Sequence, residues 1–172
     1  MSSKLALLGG TPAFKGPFKL YRSIGPEEAA RVGEVIASGV LSRFLGCWDE
    51  DFYGGPQVRQ FEARWAEHFG VRHAVSMNSA TSGLIAAIGA VGIEPGDEVI
   101  VSPYTMSASA TSILVFNGIP VFADVDPRTF NLDPVDVARR ITSRTRAIMV
   151  PNIFGHPADL DPLMELAEKY GL

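Results

Sequence analysis

A chain of 172 residues with 47% hydrophobic and 20% charged side chains holds enough apolar material for a real core, which excludes a disordered segment and predicts one domain of ordinary size. Its formal net charge of -4, with no basic run, gives no electrostatic case for nucleic acid or an anionic membrane surface as partner. The single cysteine, Cys47, excludes an internal disulfide framework and fits a reducing compartment.

Residues 1–25 are rich in glycine and proline and show no clear period, so they are expected to form an extended N-terminal arm, with 26–172 as the folded part. The arm's apolar run, Leu5 to Leu8, stops at Gly9-Gly10 and is too short for a signal peptide. No apolar stretch is long enough to span a bilayer, and the expected location is the cytoplasm. "GPEEAARVGEVIASG" then reads as a helix, with Pro26, Glu27 and Glu28 at its start and Gly39 as its stop. After an irregular loop over 40–55, a second helix runs from about Pro56 to Gly70, with Val58, Phe61, Trp65 and Phe69 on one stripe.

From there strands and helices alternate. "HAVSM" reads as a strand, Thr81–Val91 as a helix, "EVIVS" as a strand and Thr105–Asn117 as a helix. "PVFADV" is the third strand, Pro134–Ile141 a short helix, "AIMVP" the fourth strand and Asp159–Tyr170 the last helix. Short strands, apolar on both faces, predict a mostly parallel sheet with helices on both faces, an α/β layer. Such a sheet is expected to go on with a strand after Gly171-Leu172, so the chain reads as the N-terminal part of something longer.

The turn "NSATSGL" gathers small residues where a strand becomes a helix. A helix starting at the carboxyl end of a strand presents unpaired N–H groups, and Ser79, Ala80 and Gly83 leave room for an anion beside them. Thr81 and Ser82 can add hydroxyls. The commoner role of Ser79 or Thr81 in such a place is to cap the helix and bind nothing, and local sequence leaves both roles open. Neither a Walker loop nor a GxGxxG turn occurs.

Five ordered stretches cover most of the chain: "GGPQVRQFEARWAEHFGVRHAV", "NSATSGL", "GIEPGDEVIVSPYTMSASA", "GIPVFADVDPRTFNLDP" and "TSRTRAIMVPNIFGHPADLDPLMELAEKYGL". Together they resemble the N-terminal part of the DegT/DnrJ/EryC1/StrS aminotransferases. The resemblance implies a partial large domain of the fold type I transferase fold, with pyridoxal 5'-phosphate as cofactor. It implies transfer of an amino group, typically from glutamate, to a keto-sugar that is mostly nucleotide-linked, in a homodimer. It also implies that the Ser79–Leu84 turn holds the cofactor phosphate, with Ala80 and Thr81 at the contacting positions and Ser82 beside them.

Met106 stands where the family usually stacks an aromatic ring on the pyridine; a thioether can also lie against a π-face, and plain core is the alternative. Asn152, where many relatives carry His, falls at the carboxyl end of a strand, able to bond the cofactor's phenolic oxygen or the substrate, or simply to form a turn. The family's cofactor-bonding lysine and the acid facing the pyridine nitrogen match no position here. The resemblance therefore implies an enzyme as the full-length parent and an inactive chain by itself. Two alternatives stay open: a dehydratase of the same family, in which histidine replaces that lysine, or a truncated paralogue that binds a phosphate ligand or a partner without catalysis. Other polar groups read as structural: His156 as a loop residue, Asp124 and Asp126 as turn formers, and His68 with His73 as too poorly spaced for zinc.

Overall fold

The computed structural model describes residues 4–172; Met1–Ser3, within the expected arm, lie outside the described residues. The chain divides into two compact units, residues 1–74 and 75–172.

In the first unit a short 3-10 turn, Ala6–Leu8, interrupts a largely exposed stretch. Helix α1 (Pro26–Ala37) opens with proline at its first position, and the Gly25 N–H donates to the Glu28 carboxylate at 2.7 Å. Helix α2 (Pro56–Phe69) also opens on proline and closes on Gly70, whose φ of 64° is the left-handed cap that glycine adopts at low cost. Between them Asp51 pairs with Arg43 at 3.1 Å. The α2 stripe packs ring on ring, Phe61 to Trp65 at 5.7 Å and Trp65 to Phe69 at 4.8 Å, yet all three rings remain about half exposed.

The second unit is a three-stranded parallel sheet. Its strands are β1 (Glu98–Val101), β2 (Ile119–Phe122) and β3 (Thr145–Met149), in the order β2-β1-β3. Its helices are α3 (Ala80–Val91), α4 (Ser107–Leu114), α5 (Pro134–Arg140) and α6 (Leu160–Tyr170). Central strand β1 is buried throughout, and its side chains alternate between two cores. Val99 and Val101 join Ile88 of α3 and Ile113 of α4. Ile100 points the other way, to Ala123, Leu132, Val137 of α5 and Leu163 of α6. Helices therefore cover both faces, and each fully buried Val or Ile contributes roughly 1.5–3 kcal/mol of transfer free energy. Gly118 is required by close approach: a Cβ there would meet Ile93 Cγ2 at 2.8 Å and Ile113 Cγ2 at 2.9 Å.

Three expectations shift. Residues 73–77, expected as a strand, are not among the three strands of the sheet; a strand is defined only by a neighbouring edge that takes up its backbone groups in a ladder. Helix α4 begins at Ser107 rather than Thr105, because Met106 keeps the extended dihedrals of an N-cap, and the left-handed Asn117 (φ 56°) stops any continuation. Strand β2 ends at Phe122 instead of reaching Val125, which forms an isolated antiparallel bridge with Leu132.

Candidate functional site

Strand order decides where a ligand has room. The chain leaves β1 for β2 on one side through α4, then crosses to β3 on the other side through α5, so the direction of winding reverses at β1. In open α/β sheets the crevice lies at such a reversal, outside the carboxyl ends of the strands. The segments emerging there are 102–106 after β1 and 150–158 after β3. They meet: the Tyr104 ring lies 6.1 Å from Phe154 and 5.6 Å from Phe130, which follows β2.

Helix α3 leads through 92–97 into the start of β1, so its own N-terminus lies toward the same carboxyl end. Ser79 caps it: its Oγ accepts the Ser82 N–H at 3.1 Å and its carbonyl the Gly83 N–H at 3.1 Å. The capping role is thus realised for Ser79. It leaves the Ala80 and Thr81 amides, the first two of the helix, with no acceptor among the described residues. Ser82 Oγ lies 3.0 Å from Ser79 Oγ. Ala80 and Thr81 are exposed, and a Cβ built on Gly83 would meet only Met77 Cγ, at 4.0 Å. An anion therefore has both donors and free approach.

Met106 is mostly exposed, at the N-cap of α4. Asn152, exposed after β3, uses its Oδ1 to accept the Ala158 N–H at 2.9 Å. That bond closes the 152–158 loop and leaves Nδ2 as the side chain's free end.

Sequence reasoning missed Asn131, Phe130 and Phe154. Asn131 is buried, and all its side-chain bonds go to the 152–158 loop. Phe130 (φ 60°) and Phe154 (φ 52°) sit in the left-handed region, a strained choice for an aromatic residue. Nothing in a phenylalanine advertises that conformation; the one available signal was a polar residue inside the apolar-flanked stretch "TFNLDP".

Asp124, Asp126 and Asp136 are engaged in turns and ion pairs. Asp126 pairs with Arg128 at 2.8 Å, and the guanidinium lowers its pKa to about 2. Asp124 Oδ1 accepts the Val125 N–H, and the Asp124 N–H donates to buried Asp136, itself paired with Arg140 at 3.2 Å. His68 lies edge-on to Phe69, and His156 and Cys47 are exposed. Among the described residues no group of His, Cys, Asp and Glu could hold a metal ion, and no helix is long and apolar enough to cross a membrane.

The family model for the DegT/DnrJ/EryC1/StrS aminotransferases matches residues 27–172. The chain belongs to that family. It is 42% identical over 149 residues to the spore coat polysaccharide biosynthesis protein SpsC of Bacillus subtilis, covering 87% of this chain and 36% of that protein. It is 38% identical over 172 residues to a putative L-glutamine:3-amino-2,3-dideoxy-scyllo-inosose aminotransferase of Streptoalloteichus tenebrarius, covering 100% of this chain and 40% of that one. A putative sugar aminotransferase from Streptococcus pneumoniae, solved in its PLP form, superposes with a TM-score of 0.76 at 28% identity. That match covers 86% of this chain and 35% of the other. The family fold is thus a fold type I transferase, of which this α/β unit is a part, and the chain spans two fifths or less of the relatives it matches.

Proposed function

We propose that the chain forms the phosphate-binding portion of a pyridoxal phosphate-dependent aminotransferase that aminates a keto-sugar. The observation that carries this reading is the open amide pair of Ala80 and Thr81, at the carboxyl end of the sheet of a family member. The residues fit the group: small side chains, two free donors and a helix N-terminus complement a phosphate dianion. When bound, the cofactor supplies an electron sink through which an amino group passes from donor to acceptor.

In this reading the Ala80 and Thr81 amides and the Thr81 or Ser82 hydroxyl hold the phosphate. Met106 would supply a thioether contact to the pyridine ring. Asn152 donates through Nδ2 to the phenolic oxygen or to a substrate oxygen. None of Lys4, Lys15, Lys19 and Lys169 matches the family's cofactor-bonding lysine, so in this reading the 172 residues by themselves bind the cofactor phosphate without carrying out the transfer. The relatives' names support a sugar or cyclitol acceptor, and one of them gives L-glutamine as its donor; an amino-acid donor, glutamate by the family resemblance, a nucleotide-linked acceptor, a homodimer and a cytoplasmic location complete the proposal.

Ala80→Asp tests it in the full gene product. A carboxylate in the first helical turn favours the helix dipole by roughly 0.3–1 kcal/mol while occupying the phosphate position. The expected result is cofactor binding weakened by at least about 10-fold, or about 1.4 kcal/mol, with no fall in the melting temperature of the cofactor-free protein. Unchanged cofactor affinity would refute the phosphate site.

A further inference from the structure

Strands β2 and β3 are not neighbours, since β1 lies between them, yet the segments that follow them are fastened together by one side chain. Asn131 Nδ2 donates to the carbonyls of His156 at 3.0 Å and Pro157 at 3.2 Å, and its Oδ1 accepts the Ile153 N–H at 3.1 Å. Both ends of the amide are thus committed to one loop from a site only 4% exposed. Asn131 is itself held from behind: its carbonyl accepts the Asp126 N–H at 2.9 Å and its N–H donates to Thr129 Oγ1 at 3.3 Å. On the far side of the loop, Asn152 Oδ1 takes the Ala158 N–H at 2.9 Å. Flipping the Asn152 amide would set Nδ2 against that N–H, donor against donor, so while the loop stays closed the end of Asn152 with no bond in the loop is its Nδ2 donor.

We propose that Asn131 is a positioning residue that fixes the polarity of Asn152: by clamping 152–158 it makes Nδ2 of Asn152 a preset donor for an acceptor oxygen in the crevice. The ligand chemistry this selects is an anionic or carbonyl-type oxygen, and a hydroxyl only as acceptor. The inference rests on the reading that Asn152 faces the cofactor or the substrate held against it. The Phe130 and Phe154 rings, both on left-handed backbone and both against Tyr104, mark the two segments the clamp joins.

The test uses the full gene product loaded with pyridoxal phosphate, with two readouts besides turnover. One is hydrogen exchange of the Ile153 and Ala158 amides, which reports the loop; the other is the pH midpoint of the bound cofactor's visible absorbance, which reports donors to its phenolic oxygen. Asn131→Asp keeps the shape and the acceptor for Ile153 but turns an oxygen toward two carbonyls. It should speed Ala158 exchange at least about 10-fold and raise the absorbance midpoint, in the same direction as Asn152→Ala, which itself raises it by about 1 unit. Asn152→Asp should keep the loop protected, because its oxygen still serves Ala158, while raising the midpoint. In the double variant Asn131→Asp/Asn152→Ala the midpoint should move no further than in Asn152→Ala alone.

If Asn131→Asp loosens the loop and leaves the midpoint unchanged while Asn152→Ala moves it, the clamp is structural only and the inference is overturned. If Asn152→Ala leaves both the midpoint and the KM for the keto substrate unchanged, the reading of Asn152 fails and takes the inference with it. Should Asn131→Asp fail to fold, Asn131→Ser, which keeps a short acceptor, carries the same two expectations.

Discussion

Glu98 and Arg144 offer a strong test of the energetics, because the two partners are unequally buried. The Glu98 side chain is nearly enclosed at the head of β1, whereas the Arg144 side chain stays mostly in solvent. Arg144 Nε donates to Glu98 Oε1 at 2.9 Å, the Thr142 hydroxyl donates to the other oxygen, and the Glu98 N–H donates to the Arg144 carbonyl at 2.9 Å. Removing the arginine leaves a buried carboxylate with one side-chain donor. Removing the carboxylate lets the guanidinium return to water. Arg144→Met is therefore expected to cost about 2–3 kcal/mol, the upper part of the range for leaving a buried acceptor short of a donor. Glu98→Gln, which keeps the shape and an acceptor, should cost roughly 1–2 kcal/mol. Equilibrium urea unfolding of the full gene product measures both.

The pH dependence adds a sign. The Thr142 hydroxyl first, and then Arg144, hold the Glu98 pKa below its ordinary value. A depressed folded pKa contributes stability that is complete above the ordinary value of 4.5 and is lost as pH falls through the folded value. Arg144→Met should shrink that acid limb without abolishing it, because the Thr142 hydroxyl still donates to the carboxylate. A smaller loss for Arg144→Met than for Glu98→Gln, or an acid limb unchanged in Arg144→Met, would refute the asymmetry.

Three further outcomes are expected. Gly118→Ala should cost about 1–3 kcal/mol in the same unfolding assay, because its Cβ would press on Ile93 and Ile113 in a filled core. Met106→Ala should raise the cofactor dissociation constant several-fold and Met106→Phe should lower it, read by fluorescence titration; equal affinities would remove Met106 from the ring. Asp126 should titrate near 2 by carboxyl NMR, with stability present above 3.8 and lost as pH falls toward 2, and Arg128→Ala should raise its midpoint only part of the way back, because the backbone N–H of residue 128 still donates.

The alternation of apolar strand and punctuated helix was legible because burial on both faces forces continuous apolar runs, as in "EVIV", and because Pro26, Pro56 and Pro134 open helices in the one place a missing N–H costs nothing. The helix start at "NSATSGL" was legible as small and hydroxyl residues at a strand-to-helix junction, and Ser79 caps it. Residues 73–77 were misread because strand character depends on a partner edge that sequence does not show. Asn131 escaped for a related reason. Its work is done by bonds to a segment more than twenty residues away, and no local pattern encodes a hydrogen bond of that span.

The sheet order also carries a consequence for how the chain reaches its fold. Parallel neighbours cannot close as hairpins, so each pairing waits for an intervening crossover. Strand β2 follows β1 by about 20 residues and β3 by about 50, so during synthesis at ~5–20 residues per second the central strand spends roughly 2–10 s with one edge open. For that interval half of its ladder is available to any passing strand, and the window closes only once β3 has emerged. Slower translation between α4 and β3 should therefore lower the soluble yield of this chain more than the same slowing placed after α6.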